Sequence, residues 1–310
     1  MSSPAPAPAR IDVRPGSLDA WRIAVRTRTL WIATVPVFVG TSVAYLASGR
    51  VDVLFASLAL VASVLLQAIA NLQNDVGYTA RGAETGTRVG LPRATSCGLL
   101  TPREVRLAIV LAVAATILVG LPLVARWGLP VLLMGLTSIV AALAYMGGPR
   151  PIAYTPLGEL MVFVFFGLVA VIGSGYVQLG AVTPALLTAA AAIGALAAAV
   201  LVVNNHRDIA HDASTGRRTF AVLFGARASA RLFAVLALAP FVMVPLLVWQ
   251  TGSQLLWLPL LALPGAISLV RALPTTAPGL GFNALLMRTV MLQLIYGAML
   301  TIGTLLAAWL

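Results

Sequence analysis

Residues 203–219, VNNHRDIAHDASTGRRT, follow a long run of almost unbroken Ala, Leu, Val and Gly. The stretch itself contains two Asp, three Arg, two Asn and both His of the chain. An apolar run of about 20 residues is long enough to cross a lipid bilayer as a helix. The stretch therefore predicts a membrane-spanning helix that ends in a cluster of charged and polar side chains.

The composition of the whole chain is typical of an integral membrane protein. Of the 310 residues, 60% are hydrophobic and only 9% are charged, whereas soluble domains carry roughly 25% charged residues. The apolar runs are continuous and lack the two-residue alternation of a transmembrane barrel, so we expect an all-α fold. The single cysteine, Cys97, excludes an internal disulfide framework. The net charge of +11 is better explained by topological bias than by nucleic-acid binding.

Nine membrane-spanning helices are predicted, because clusters of Pro, Gly and Arg separate the apolar runs. Their approximate ranges are 28–47, 52–74, 104–124, 128–146, 157–177, 184–205, 229–249, 255–272 and 286–308. They form one expected transmembrane domain, residues 21–310, after a tail, residues 1–20, that is expected to be disordered because it is rich in Pro and Ala. The tail lacks the apolar core and cleavage site of a secretory signal.

The arginine residues are distributed unequally between the two sides of these spans. All twenty basic residues are Arg, and only Arg50 and Arg126 fall on the side opposite to the N-terminus. Because cytoplasmic segments carry an excess of basic residues, this asymmetry predicts a cytoplasmic N-terminus. The segments after spans 2 and 6 are then cytoplasmic as well.

Those two cytoplasmic segments hold four of the nine acidic residues. The first, about residues 71–101, includes Asp75 and Glu84, and the second, about residues 204–227, includes Asp208 and Asp212. In each segment an Asn precedes the first Asp by four residues, which is a weak internal repeat. Helical spacing places the members of each set on one helix face: Asn71, Asn74 and Asp75 in the first, and Asn204, Asp208 and Asp212 in the second.

Oxygen ligands beside arginine indicate a site for a metal-bound phosphate. Carboxylates at the end of a membrane helix are costly unless they are wet, paired or bound to metal. Mg²⁺ is commonly held by a few carboxylates plus phosphate oxygens of a substrate, and Arg binds phosphate bidentately. Each acidic segment also contains three such arginines: Arg81, Arg88 and Arg93 in the first, and Arg207, Arg217 and Arg218 in the second.

The alternative is that these acids only pair with neighbouring Arg at the solvated edge of the membrane. The repeated Asn–Asp spacing in two segments of so acid-poor a chain favours the functional interpretation. His206 and His211 lie beside the second set, but zinc would require a group of His or Cys ligands that the sequence lacks. We therefore expect these two histidines to be polar residues near the site.

Four stretches resemble the UbiA superfamily of intramembrane aromatic prenyltransferases, and most closely its 1,4-dihydroxy-2-naphthoate prenyltransferases. They are RTRTLWIATVPVFVGTSVAY, NLQNDVGYTARGAETGTRVGLPRA, YMGGPRPIAYTPLGELMVFVFFGLVAVIGSGYVQ and VNNHRDIAHDASTGRRTFAVLFG. The last two are the most specific, and the resemblance extends from about Trp21 to the C-terminus. It implies a bundle of nine helices around a central chamber.

The resemblance also implies roles for individual residues. Asp75, Asp208 and Asp212 would be catalytic, and together with Glu84 they would bind Mg²⁺. The diphosphate of a polyprenyl donor would be bound by Asn71, Asn74, Arg81, Arg88, Arg93, Asn204, Asn205, Arg207, Arg217 and Arg218. The clear departure is Tyr78, because the family pattern has a second Asp there and a phenol, with a pKa of about 10, cannot replace an anionic ligand.

The implied reaction begins with neutralisation of the diphosphate and ionisation of the allylic C–O bond. An electron-rich aromatic ring then attacks the prenyl cation in a chamber from which water is excluded. With dihydroxynaphthoate, the prenyl group replaces the carboxylate, which leaves as CO₂ and gives demethylmenaquinone. Four residues are expected to contact the aromatic substrate: Tyr78, Tyr145, Tyr154 and Glu159. Tyr145 and Tyr154 are alternatively interfacial anchors, and Glu159 alternatively stabilises the start of its helix.

Other functions remain as alternatives at this point. Within the superfamily, the prenyl acceptor could be 4-hydroxybenzoate, homogentisate or a porphyrin. A transporter for an anionic substrate would place its charges near the middle of the bilayer on broken helices, whereas here they lie at helix ends on one side. A non-catalytic lipid-binding member is supported only by Tyr78. We expect a multi-pass protein of the cytoplasmic membrane, with both acidic segments facing the cytoplasm.

Overall fold

The computed structural model describes residues 13–83, 93–277 and 281–310, and within these ranges every regular element is helical. Among the residues that the structure describes, nine helices are long and apolar enough to cross a membrane, in agreement with the predicted number of spans. They are α2 (Thr27–Ser48), α3 (Val53–Ala80), α4 (Pro102–Trp127), α5 (Leu129–Met146), α6 (Gly158–Leu179), α7 (Pro184–Arg207), α9 (Phe220–Thr251), α10 (Gln254–Thr275) and α11 (Gly281–Trp309). Two shorter helices, α1 (Leu18–Val25) and α8 (Ile209–Ser214), lie outside these spans.

The N-terminal region is ordered earlier than the sequence suggests. The disordered tail was expected to extend to residue 20, but α1 begins at Leu18 and is capped by the hydroxyl of Ser17, which accepts a hydrogen bond from the backbone N–H of Ala20. Ala20 and Ala24 are fully buried against α3 and the segment that precedes α4. The end of the predicted tail is therefore helical, because its small residues pack on a neighbouring element.

Two helical regions extend further into the acidic segments than their apolar runs do. The prediction for α3 ended at residue 74, whereas the helix continues to Ala80. The prediction for α9 began at residue 229, whereas helical turns begin at Phe220, where the Thr219 hydroxyl caps them, and a kink at Gly225, whose φ of 80° and ψ of 171° are not helical, separates these turns from the rest of α9. The apolar run marks only the part of a helix that lies in lipid, and so it misses the turns beyond. As a result, Asn74, Asp75 and Tyr78 lie on a helix and not in a loop.

The central helix of the bundle is α7. Its run of Ala and Gly is almost entirely buried, and it packs against α2, α6, α9 and α11. At the crossing with α6 the two backbones approach so closely that a Cβ added to Gly167 would lie 2.5 Å from the Cα of Gly194. Small residues permit such close helix packing in membranes. Part of α6, residues Phe163–Ile172, is π-helical.

A second group of helices, α2 to α6, lines a partly open apolar chamber of about 400 Å³. Its walls are mainly Ala, Leu, Val, Met and Phe side chains, for example Ala62, Leu66 and Phe166. At one end it is lined by the polar side chains of Asn71, Asn74, Gln67 and Tyr145. That end lies where α3 and α5 finish, which is the side of the bundle that carries the acidic segments.

Candidate active site

The first acidic segment is organised around Asp75, whose side chain is 1% exposed. One carboxylate oxygen accepts a hydrogen bond from the backbone N–H of Ala94 at 2.8 Å. The other accepts from the backbone N–H of Thr95 at 2.9 Å and from the Thr95 hydroxyl at 2.6 Å. Asp75 therefore holds the chain that returns toward α4 against the end of α3, and most of its hydrogen-bonding capacity is used there.

This contact places Arg93 over Tyr78. The guanidinium carbon of Arg93 lies 3.7 Å from the centre of the Tyr78 ring, and that of Arg217 lies 5.3 Å from it. All three side chains are at most 5% exposed. At the position where the resemblance implies an acid, the protein thus has an aromatic ring that contacts two arginines, one from each acidic segment, through cation–π interactions.

The second acidic segment supplies a buried ion pair between Asp212 and Arg217. Oδ1 of Asp212 accepts from Nη1 of Arg217 at 2.5 Å, and both side chains are nearly inaccessible. Oδ2 of Asp212 is buried and has no hydrogen-bond partner among the described residues. Burial raises the pKa of the Asp212 carboxyl, Arg217 opposes this shift, and the nearby Asp208 carboxylate adds to it.

Asp208 is held differently, because Arg207 occupies both of its carboxylate oxygens. Nε of Arg207 donates to Oδ1 at 2.7 Å and Nη2 donates to Oδ2 at 2.6 Å. The same guanidinium donates to Oδ1 of Asn204 and to Oδ1 of Asn283 at the start of α11, each at 2.9 Å. The sequence analysis missed Asn283, because no motif or spacing connects this residue with Arg207, which lies 76 residues earlier in the chain.

A third buried pair joins α6 to α7. Oε1 of Glu159 accepts from Nδ2 of Asn205 at 2.8 Å. Glu159 is close enough to Asp212 and Arg217 to interact electrostatically with both. The hydroxyl of Tyr145 lies beside the preceding residue, since a Cβ added to Gly158 would be 3.8 Å from it. The chamber end and the second acidic segment therefore meet near Glu159.

The chain between α5 and α6 binds both acidic segments. Arg81 donates to the backbone oxygens of Met146 and Gly148, at 2.8 and 2.5 Å. Nε of Arg217 donates to the backbone oxygen of Ala153 at 3.0 Å. The guanidiniums of Arg81 and Arg217 also lie 5.7 and 5.9 Å from the ring centre of Tyr154, whose pKa is raised by burial.

The remaining predicted site residues occupy varied positions. Asn71 donates to the backbone oxygen of Val25 at 2.8 Å, so its amide nitrogen fixes the α1–α2 junction. Asn74 lines the chamber, and its buried Oδ1 has no partner among the described residues. The side chain of Arg218 is exposed, although its neighbour Arg217 is buried. Glu84 and Arg88 lie outside the described residues.

The oxygen atoms at this end of the chamber are suited to a hard divalent ion that is bound jointly by the protein and by the phosphate oxygens of a substrate. Within the described ranges, no three His, Cys, Asp or Glu side chains come together to hold a metal. Oδ1 of Asn74 and Oδ2 of Asp212 are nevertheless buried oxygen atoms that lack a partner within the same ranges. Mg²⁺ commonly takes one or two carboxylates and completes its coordination with water and substrate phosphate. The residues present therefore fit such an ion.

The fold and the site define a multi-pass membrane protein with buried carboxylates and arginines at the end of an apolar chamber. The UbiA prenyltransferase family matches residues 33–279. The 1,4-dihydroxy-2-naphthoate octaprenyltransferase of Escherichia coli (strain K12) is 35% identical over 298 residues, which are 94% of this chain and 96% of that protein. The chain belongs to the UbiA prenyltransferase family.

Solved structures share the fold at low sequence identity. A UbiA homolog from Aeropyrum pernix K1 has a TM-score of 0.69 and 18% identity, covering 90% of this chain and 98% of that one. A UbiA homolog from Archaeoglobus fulgidus, solved bound to DMAPP and Mg²⁺, has a TM-score of 0.64 and 15% identity, covering 92% of this chain and 99% of that one. The nine-helix architecture is thus that of the family.

Proposed function

We propose that this protein transfers a polyprenyl group from a polyprenyl diphosphate to 1,4-dihydroxy-2-naphthoate. The carboxylate of the naphthoate would leave as CO₂, the donor would lose diphosphate, and the product would be demethylmenaquinone in its quinol form. The observation that carries this proposal is the buried Asp212–Arg217 pair, with its free carboxylate oxygen, near the polar end of an apolar chamber. The names of similar proteins, such as the Escherichia coli relative, support the choice of substrates.

Different residues of the site would bind the diphosphate, the divalent ion and the isoprenoid chain. Arg217 and Arg93, both buried, would bind the diphosphate and stabilise the charge that develops as it leaves. Asp212, Asp208 and Asn74 would supply oxygen ligands to a divalent ion, which we propose is Mg²⁺. When bound, such an ion neutralises the diphosphate leaving group. The apolar walls of the chamber would hold the isoprenoid chain and exclude water from the allylic cation.

Asp75 has a supporting role in this proposal, although the sequence suggested a metal ligand. Its carboxylate accepts three hydrogen bonds from residues 94 and 95. Its contribution would then be to position Arg93 over the ring of Tyr78. Arg81 and Asn71 would likewise support the site, because both donate to backbone oxygens of neighbouring segments.

The distribution of Arg supports an orientation with the site toward the cytoplasm. In the sequence, eighteen of the twenty Arg fall in the N-terminal segment and in the connections on the same side as the acidic segments, and Arg50 and Arg126 fall in connections on the other side. In a bacterial cell the first side would be the cytoplasmic face of the inner membrane.

The test is prenyl transfer by the purified protein in detergent. Labelled polyprenyl diphosphate is offered with dihydroxynaphthoate, with and without Mg²⁺, to the wild type, Asp212→Asn and the exposed-site control Arg218→Ala. We expect a metal-dependent prenylated naphthoquinol that Asp212→Asn loses and Arg218→Ala retains. If product forms only with 4-hydroxybenzoate or homogentisate, the proposed mechanism stands, but dihydroxynaphthoate is not the aromatic acceptor. Folded protein that forms no product with any of them would overturn the proposal.

A further inference from the structure

The pair formed by Glu159 and Asn205 holds two buried oxygen atoms that the site described so far does not use. Glu159 is 7% exposed and Asn205 is 2% exposed. Their one mutual hydrogen bond uses Oε1 of Glu159 and Nδ2 of Asn205. Oε2 of Glu159 and Oδ1 of Asn205 are buried without a hydrogen-bond partner among residues 13–83, 93–277 and 281–310.

The orientation of the Asn205 amide follows from chemistry. The amide turns its nitrogen toward Glu159, because Oε1 of the carboxyl group accepts its hydrogen bond. A flipped amide would place two oxygens against each other. Asn205 therefore presents its oxygen to the remaining space, and the two buried oxygen atoms of the pair that lack a partner among the described residues are both hydrogen-bond acceptors.

Two such acceptors select for a ligand that carries hydrogen-bond donors. A buried polar atom left without a partner costs about 1–3 kcal/mol, so a pair of them is expected to be filled when the protein acts. Diphosphate at neutral pH offers only acceptors and would be repelled here. Asn205 was expected from the sequence to bind diphosphate, but one of its two N–H donors is engaged by Glu159, and its buried oxygen, which lacks a partner among the described residues, would repel a diphosphate.

The position of the pair points to the aromatic substrate. Tyr145 lines the polar end of the chamber, and its hydroxyl lies next to Gly158, the residue before Glu159. Met161 and Val162, on the following turn of α6, also line the chamber. Arg217 and Asp212 are within electrostatic range of Glu159. A ring held here would lie between the isoprenoid chamber and the diphosphate-binding arginine.

We propose that Oε2 of Glu159 and Oδ1 of Asn205 accept hydrogen bonds from the hydroxyl groups of a hydroxylated aromatic substrate and so orient its ring toward the allylic carbon. This inference rests on the proposed function and adds the residues that select the aromatic substrate by its hydroxyl groups. No bond is formed or broken in this contact.

The experiment compares Glu159→Gln and Asn205→Ala with Glu104→Gln, a matched control. Glu104 is exposed and caps the start of α4 through Thr101, a role that Gln can also fill. For each protein we would measure KM for dihydroxynaphthoate, KM for the polyprenyl diphosphate, and the inhibition constants of dihydroxynaphthoate methyl ethers. The ethers keep the ring and the carboxylate but lack the hydroxyl donors.

We expect wild type to bind the methyl ethers at least about tenfold more weakly than the hydroxyl compound, as the loss of such hydrogen bonds implies. Glu159→Gln and Asn205→Ala should raise KM for dihydroxynaphthoate by about tenfold and leave KM for the diphosphate unchanged. In both variants the ratio of the affinities for the hydroxyl compound and for its methyl ethers should fall toward one. Glu104→Gln should match wild type in all three. The ether comparison distinguishes lost recognition from general damage to the site.

Three outcomes would overturn the inference. The first is equal weakening for hydroxyl and ether compounds in both variants, which indicates a structural role. The second is a rise confined to KM for the diphosphate or to the Mg²⁺ requirement, which indicates a cation or diphosphate site. The third is unchanged kinetics in both variants. If wild type itself transfers no prenyl group to any hydroxylated aromatic, the proposed function fails as well, so the two failures are distinguishable.

Discussion

Asp212 and Arg217 form an ion pair in which one carboxylate oxygen is 2.5 Å from the guanidinium and the other is left without a partner among the described residues. The same guanidinium donates to the backbone oxygen of Ala153 and lies over the ring of Tyr78. Arg217 is thereby fixed by three segments of the chain before any substrate binds. A charge fixed in advance in a site of low polarity stabilises a leaving anion without reorganisation.

Replacing Arg217 should therefore impair both catalysis and folding. We expect Arg217→Ala to lower kcat/KM by about 10²–10³-fold, as for the loss of a preorganised donor. It should also lower stability by about 3–5 kcal/mol, because Asp212 would be left buried and unpaired. Initial rates and thermal unfolding in detergent would measure the two effects. Arg218→Ala, one residue away and exposed, should change neither, and a similar loss in that variant would refute the assignment.

The contact between Arg207 and Asp208 predicts competition between arginine and metal. Because Arg207 donates to both oxygens of Asp208, a divalent ion that binds there competes with its positive charge for the carboxylate. Arg207→Ala should unfold at a lower temperature than wild type without metal and gain more stability from added Mg²⁺. Unfolding temperatures across a Mg²⁺ titration would test this, with the exposed Arg227→Ala as the control. An identical gain in variant and wild type would show that Asp208 does not bind the ion.

Asp75 is predicted to act through the backbone that it holds. Asp75→Ala removes an acceptor of three hydrogen bonds, each worth about 1.5–3 kcal/mol when it involves a charged group. Amide hydrogen exchange at residues 94 and 95 should become faster, and activity should fall as Arg93 loses its position. Asp75→Asn keeps one acceptor oxygen, so its exchange rates and its activity should lie between those of wild type and Asp75→Ala. Loss of Mg²⁺-dependent stabilisation with unchanged exchange would instead identify Asp75 as a direct ligand.

Tyr78 is predicted to contribute its ring and not its hydroxyl. Tyr78→Phe keeps the surface that Arg93 and Arg217 contact, so its kcat/KM should stay within about twofold of wild type. Tyr78→Ala should lose about tenfold, because the two guanidiniums are no longer held by cation–π contacts of about 0.5–2 kcal/mol. Steady-state kinetics at varied polyprenyl diphosphate concentration would measure kcat/KM of the Tyr78→Phe and Tyr78→Ala variants against wild type. A severe defect in the Phe variant would mean that the phenol itself takes part.

Filling the chamber should shorten the isoprenoid chains that the protein accepts. Gly135 of α5 lines the chamber, and a Cβ added there would meet nothing within 4 Å. Gly135→Phe should therefore fold normally and place a ring in the chamber. When donors of two lengths compete, product analysis should show a shift toward the shorter one. Gly265→Phe on α10, also in open space but outside the chamber, should leave the product ratio unchanged.

The sequence predicts the spans well because lipid imposes a length and a composition on each of them. It also identifies the two acidic segments, since charge is rare in this chain. It could not distinguish Arg217 from Arg218. The difference arises from the turn at Gly216, whose φ of 74° directs the chain so that one guanidinium is buried and the next is exposed. Adjacent identical residues carry no signal of which one faces inward.

Apart from the side-chain contact of Arg207 with Asn283, the part of the site that the sequence did not predict consists mainly of contacts to backbone atoms. The partners of Asp75 are N–H groups nineteen and twenty residues later in the chain, and one partner of Arg217 is the carbonyl of Ala153. Every residue has such groups, so no residue type or spacing marks them. The sequence predicts Asp75 as a metal ligand, and it gives no means of counting the three hydrogen bonds that the carboxylate accepts from residues 94 and 95.

The chain between α5 and α6 has a consequence for how this protein can vary. It accepts hydrogen bonds from Arg81 of one acidic segment and Arg217 of the other, and the backbone N–H of Arg218 donates to the carbonyl of Tyr154. A connection that binds both halves of the site through its backbone cannot change in length without moving one half against the other. Natural variants should therefore tolerate new side chains on its exposed positions but not insertions or deletions, which is the opposite of the freedom usually granted to a surface loop.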